Sequence, residues 1–168
     1  MMPKLLFIVL SLLFLIQGTL AQQNNIWYFG KRAGLNFNPG SPRALHNSAM
    51  DADEGSASIC DKTGNLLFYT NGVTVYNRNH QVMLNGTGLK GNLSTVQSAL
   101  IVPMPGTDNI YYIFTTDAVE NNFANGYNYS VVDMNRDNGK GEVILKNILF
   151  NASPSASICT GAGGRWMV

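Results

Sequence analysis

Asp133-Met134-Asn135-Arg136-Asp137-Asn138-Gly139 places side-chain oxygens at alternating positions, as a calcium loop does around its ion. Two fixed places of that pattern fail. Its sixth position calls for Gly and holds Asn138, and its twelfth calls for a bidentate Glu and holds Ile144. A hairpin turn accounts for the same letters, so calcium at Asp133, Asn135 and Asp137 stands as the lesser reading. The acidic run Asp51-Ala52-Asp53-Glu54 reads as a solvated loop. His46 and His80 are the only histidines, and neither has metal-ligand spacing; His80 reads as a turn or strand-start residue. No G-x-S-x-G elbow is present, and neither Cys60 nor Cys159 has a nearby His to make it a nucleophile. Ser58, Asp61 and Gly64 resemble the Asp-box hairpin of sialidases at a wider spacing, and such boxes are structural. Arg32, Arg43, Arg78, Arg136 and Arg165 are scattered along the chain, and three would have to converge to hold a sialic-acid carboxylate. No residue is assigned to catalysis or to a cofactor.

The elements that would carry these residues follow from composition. The chain has 168 residues, a net charge of +1 and only 12% charged residues, which argues against a nucleic-acid or anionic-membrane partner. Asparagine supplies the polarity: there are 20, many beside Gly. Asn tolerates left-handed turn conformations, so the pattern predicts short strands joined by tight turns. Residues 1–21 read as a secretory signal peptide. Lys4 precedes an apolar run from Leu5 to Ile16, and Thr19-Leu20-Ala21 offers small residues for cleavage. The mature chain is expected to start near Gln22 and to work as a secreted, extracellular protein with no membrane insertion.

Ser56-Ala57-Ser58-Ile59-Cys60 recurs letter for letter as Ser155-Ala156-Ser157-Ile158-Cys159, and Ser98-Ala99-Leu100-Ile101-Val102 is a looser copy. Each is followed by a Gly-bearing turn and a second apolar run: Leu66–Thr70, Tyr111–Thr115 and Arg165–Val168. The starting serines are 42 and then 57 residues apart, with a mean close to the forty-to-fifty-residue period of β-propeller blades. The middle unit continues through Tyr127–Met134 and Glu142–Phe150, giving four consecutive strands. No stretch of the mature chain has helical periodicity.

The fold class expected is therefore all-β, with antiparallel four-stranded blades of a β-propeller. Blade one is placed at about 26–96 and blade two at about 97–151, and blade three starts at 155–168. Small residues in the repeated strand suit an innermost position, where neighbouring blades crowd. Alternation puts Ala57 and Ile59 on one face and Ser56, Ser58 and Cys60 on the other. Cys60 and Cys159 then fall in non-adjacent blades and are expected as buried free thiols. The aromatics Trp27, Tyr28, Phe68, Tyr69, Tyr111 and Phe114 read as packing residues between blades.

Several longer phrases carry a resemblance. They are "NNIWYFG" (24–30), "GNLLFYTNGVTVYNRNHQVMLNGTGL" (64–89), "QSALIVPMPGTDNIYYIFTTDA" (97–118) and "YSVVDMNRDNGKGEV" (129–143). Together they resemble the amino-terminal β-propeller or WD40-like region of Bacteroidota gliding-motility-associated, type IX-secreted surface proteins. The resemblance implies a non-enzymatic binding or scaffold module of a large adhesin-like cell-surface protein, with an unknown protein or glycan ligand. It carries no catalytic residues. It also implies a longer parent protein, of which this chain is a fragment of about two and a half blades. A ring needs roughly four to eight. A bare blade face on the order of 500 Å² would forfeit about 12 kcal/mol at about 25 cal/mol per Å². Two alternatives belong beside it: part of a sialidase-like propeller glycoside hydrolase, or a purely structural envelope protein. Binding loops are expected at residues 85–95 and 117–127. The Asn-x-Ser/Thr sites at Asn85, Asn92, Asn128 and Asn151 would have no role in a bacterium.

Overall fold

A computed structural model describes residues 22–151. The signal peptide, the second Ser-Ala-Ser-Ile-Cys copy with Cys159, and the expected start of blade three lie outside the described residues. The fold is all-β, with 47% strand and 5% helix. The only helical segments among the described residues are 3₁₀ turns at Val119–Asn121 and Asp137–Gly139.

Eleven strands follow in chain order: β1 (Ile26–Phe29), β2 (Ala33–Asn36), β3 (Arg43–Leu45), β4 (Ala57–Cys60), β5 (Leu66–Thr70), β6 (Thr74–Asn77), β7 (Val82–Thr87), β8 (Ala99–Pro103), β9 (Ile110–Thr116), β10 (Tyr127–Asp133) and β11 (Glu142–Asn151). Strands β1–β3 form their own antiparallel sheet. The others form a nearly closed mixed sheet in the order β4-β5-β6-β7-β11-β10-β9-β8. Its halves are two antiparallel meanders, β4–β7 and β8–β11. They join at one side through the single parallel pairing of Leu84 with Glu142, while β4 and β8 lie against each other at the other side.

This differs from the sequence expectation in two ways. The two meanders are joined into one nearly closed mixed sheet through the single Leu84–Glu142 pairing. Residues 26–96 also hold two sheets: β1–β3 stands apart, and the repeating meander starts only at β4.

Packing follows the alternation of each strand. Ala57, Ile59, Phe68, Val75 and Met83 turn one face of β4–β7 onto the face of β8–β11 that carries Ile101, Tyr111, Ile113, Val132 and Val143. Phe68 meets the Tyr111 ring edge-on at 5.5 Å. The opposite face of β4–β7 carries Tyr69, Leu66 and Tyr76 and packs on Ile26 and Tyr28 of the amino-terminal sheet and on Met50 of the β3–β4 connection. Small residues permit the approach where layers meet. A Cβ on Gly55 would come within 2.3 Å of the Ser98 nitrogen, and one on Gly91 within 2.4 Å of the Gly72 oxygen. The Ser58 hydroxyl accepts from Tyr28 N at 2.7 Å, and the Ser98 hydroxyl donates to Gly55 O at 2.7 Å. Thus β4–β7 is covered on both faces, by the layer before it and the layer after it in the chain.

The far face of β8–β11 has apolar residues but no covering layer among the described residues. Register aligns Leu100 with Phe114, Phe114 with Tyr129 and Tyr129 with Ile148; a second row runs Val102, Tyr112, Val131 and Leu145. Phe68 and Phe114 open matching runs, Phe-Tyr-Thr-Asn and Phe-Thr-Thr-Asp. Phe68 is fully buried, whereas Phe114 is half-buried on the uncovered side. Phe68→Ala should therefore cost about 3–5 kcal/mol by chemical denaturation. Phe114→Ala should cost a clearly smaller amount in the same assay.

Candidate functional site

In a four-stranded meander, the second turn and the connection to the next unit emerge at one end. Here these are residues 71–73, 88–98 and 117–126, joined by the 51–55 loop. Asp117 fastens them. It is buried, and its carboxylate accepts from Ala118 N at 2.9 Å, Asn92 Nδ2 at 3.3 Å, Asn121 Nδ2 at 2.7 Å and Asn125 N at 2.8 Å. Burial by itself pushes this carboxyl up. The donors from Asn125, Ala118, Asn121 and Asn92 outweigh it and hold the group below the usual carboxylate range. Gly91 N donates to Gly72 O, Gly55 N to Thr95 O, and Asn71 Nδ2 to Asp51 O, which ties in the remaining loops. The two expected binding loops are thus brought together through Asn92 and Asp117, although residues 85–87 belong to β7. On top of this rigid frame, Leu93, Val96 and Val119 stand exposed, at 37%, 70% and 64% of their surface.

A second polar cluster seals β4–β7 to the amino-terminal sheet. His80 sits in the β6–β7 turn with a left-handed φ of 60°, and its ring meets Tyr28 edge-on at 5.4 Å. Tyr28 OH donates to Asn47 Oδ1 at 3.0 Å, which leaves the Asn47 amide to donate to His80 Nε2 at 2.8 Å. His80 Nδ1 then carries the proton and donates to Tyr69 OH at 3.2 Å, which also accepts from Ala49 N at 3.0 Å. This is a neutral imidazole by construction, because a second N–H would face the Asn47 donor. Burial likewise holds His80 below its ordinary value. The cluster has neither a nucleophile nor a carboxylate, so its chemistry is positional.

The remaining sequence candidates are spent locally. Asp133 accepts from Asn135 N at 2.9 Å, Asn135 Nδ2 at 3.0 Å and Arg136 Nε at 3.3 Å, while Asp137 pairs with Lys140 at 2.9 Å. The three calcium candidates therefore share the β10–β11 turn, with their carboxylates turned to donors of that turn. No cluster of three His, Cys, Asp or Glu suited to a metal occurs among the described residues. Asp61 accepts from Thr63 N, Thr63 Oγ1, Asn65 N and Asn65 Nδ2 at 2.8–3.0 Å, closing the β4–β5 hairpin. A cleft of about 450 Å³ lies between that hairpin and the β8–β9 turn, spanned by the Lys62–Asp108 ion pair at 2.5 Å. Arg32 donates to Ser48 O, Arg78 to Gly139 O and Arg136 to Asp133, so these guanidinium groups are engaged separately. Arg43 is exposed on β3, and Arg165 lies outside the described residues. Asp51, Asp53 and Glu54 are exposed, with Lys31 3.9 Å from Asp53. Cys60 is a buried free thiol. Asn128 is buried, its amide donating to Asn125 O at 2.7 Å.

Among the described residues, no helix is long and apolar enough to cross a membrane. No family model matches the chain, and no curated protein or solved structure does.

Two measurements probe these clusters. Asp117→Asn puts an NH₂ against donors from Asn121 and Asn125, and should cost about 1–3 kcal/mol. Since the Asp117 folded-state pKa is depressed, its contribution is present above about pH 4 and lost as pH falls through the folded value, a loss the variant should not show. His80 has the same sign. Its depressed folded value means stability is full above about pH 6.5 and declines as pH drops through the folded value. His80→Gln should flatten that slope in urea titrations between pH 7 and pH 5.

Proposed function

We propose that this chain is a non-enzymatic binding or scaffold module of an extracellular cell-surface protein, its sheets being successive blades of a β-propeller. The parent class is the adhesin-like, type IX-secreted surface protein of Bacteroidota, delivered by the signal peptide at residues 1–21. One observation carries the reading: the layers succeed one another in chain order, face to face. β4 lies against β1, and β8 against β4. That is the progression of blades around an axis. Each meander also has the four antiparallel strands of a blade.

The absence of an assigned reaction rests on what the acids and bases do. Asp61, Asp117 and Asp133 hold turns, and His80 is locked as a hydrogen-bond relay. Recognition then falls to the loop end at Asp117, where Leu93, Val96 and Val119 stand on a braced frame. Such a surface suits a protein or glycan with an apolar face.

Glycan arrays and immobilised surface proteins, probed with the secreted chain, test this. The double variant Val96→Asp/Val119→Asp should weaken the captured interaction about tenfold or more, the scale of a lost interface anchor, with the melting temperature unchanged. Turnover of a sialoside or other glycoside would move the assignment to a hydrolase. A chain that binds nothing on either array would return it to a structural envelope role.

A further inference from the structure

We propose that one buried water molecule bridges Thr115 and Asn128, between the two meanders and beneath the loop end. It belongs to the floor under Leu93, Val96 and Val119, and it does not depend on what that surface binds.

Two oxygens lead to it. Thr115 and Asn128 are buried, yet neither Thr115 Oγ1 nor Asn128 Oδ1 has a hydrogen-bond partner in the protein. An unpaired buried oxygen carries the full cost of its lost hydration, so such atoms are met by the protein or by ordered water. These two are also neighbours. β9 and β10 pair Thr115 directly with Asn128, so both side chains leave the same face of adjacent strands, the one that carries Ile113 and Val132. Adjacent strands lie about 4.8 Å apart, and a water about 2.8 Å from each of two oxygens spans nearly that distance.

The protein around the pair has nothing left to offer it. The Thr70 hydroxyl donates to Thr74 O at 2.8 Å, that of Ser98 to Gly55 O at 2.7 Å, and that of Thr116 to Gln97 O at 3.0 Å. The Asn128 amide is committed to Asn125 O at 2.7 Å, which fixes its orientation and leaves Oδ1 a pure acceptor. Room comes from β8. The rows across β8 and β9 read Ile101 with Ile113 and then, at the loop end, Ala99 with Thr115. Ala99 offers a methyl group where Ile101 fills its row, and a water takes up only about 30 Å³.

The chemistry of the site selects water over an ion. Asn128 Oδ1 asks for a donor, and Thr115 Oγ1 can give or take one. The neighbouring carboxylate, Asp117, already accepts from Ala118, Asn92, Asn121 and Asn125. A cation here would be buried without a free counter-charge, which is costly. The water extends the Asp117 frame inward: it joins Thr115 to Asn128, Asn128 holds Asn125 O, and Asn125 N donates to Asp117 at 2.8 Å.

Thr115→Val tests the assignment, since it keeps the branched shape and removes the hydroxyl. Were the hydroxyl an orphan, its loss would be neutral or stabilising. With the water in place, the change takes a partner from a buried molecule and from Asn128 behind it. The unfolding equilibrium constant of the variant in urea titrations should rise about fivefold or more. A high-resolution crystal structure of the wild-type chain should place a water oxygen within hydrogen-bond distance of both Thr115 Oγ1 and Asn128 Oδ1. Thr115→Ser should keep that water and Thr115→Val should lose it.

A direct Thr115–Asn128 bond with no molecule between them overturns the proposal. So does a Thr115→Val chain as stable as the wild type. Stability that follows the cation when sodium, potassium and choline chloride are exchanged at fixed ionic strength assigns the site to an ion and overturns it as well. Each of these results leaves the loop-end reading standing, because that reading is decided by the Val96→Asp/Val119→Asp variant.

Discussion

The burial of one sheet face on the next is the constraint from which the rest follows. A four-stranded meander has two faces and no means of hiding either by itself. Strands β4–β7 solve this by carrying apolar residues on both sides. Phe68, Val75 and Ile59 go forward onto β8–β11, and Tyr69, Tyr76 and Leu66 go back onto Tyr28 and Met50. That double commitment explains why the first strand of the unit is written in Ser, Ala and Cys. A large side chain at Ser58 would push Tyr28 N out of the 2.7 Å contact that sets the layer spacing.

A fold of short strands needs many turns, and this one makes them with side-chain oxygens. Asp61, Asn71, Asn77, Asn92, Asp117 and Asp133 each accept a nearby backbone N–H, most of them two residues on, replacing the ladder bonds the turn lacks. The abundance of asparagine and the scarcity of charge have this common cause. It also decides what chemistry is left over: a carboxylate that holds its own turn through several donors is unavailable as a base. Asp61, Asp117 and Asp133 are thereby committed to the shapes that their turns hold.

Much of this was legible beforehand, since alternation and turn residues are local signals. Strands β4, β5 and β8–β11 fall where the apolar runs and Asn/Gly punctuation put them, and His80 is in a turn. The separateness of β1–β3 was not legible. A short antiparallel pair such as Trp27 with Leu35 looks the same whether it extends a meander or begins a new layer. The Asp117 hub went unseen because its donors, Asn92, Asn121 and Asn125, lie in two loops whose meeting is a tertiary event. The Asn47–His80–Tyr69 relay was hidden for the same reason: its members come from three different segments.

The looser copy of the repeat shows how letters and geometry part company. Aligned by its serine, Ser98-Ala99-Leu100-Ile101 should present Ala99 and Ile101 as Ala57 and Ile59 are presented. Yet Ala57 and Ile59 face the following layer, while Ala99 and Ile101 face the preceding one. A shift of one residue reverses every side chain of a strand. The physical equivalence runs instead through Phe68 and Phe114, Thr70 and Thr116, Asn71 and Asp117, which close the second strand and open the same turn. Under that register Ile59 corresponds to Leu100, and both are partnered by the Phe of the second strand. What recurs from unit to unit is the direction in which an aromatic pair faces, because direction determines which neighbour a layer can accept. The small residues of Ser56–Cys60 answer that demand at β4, where the layers come closest and few side chains fit.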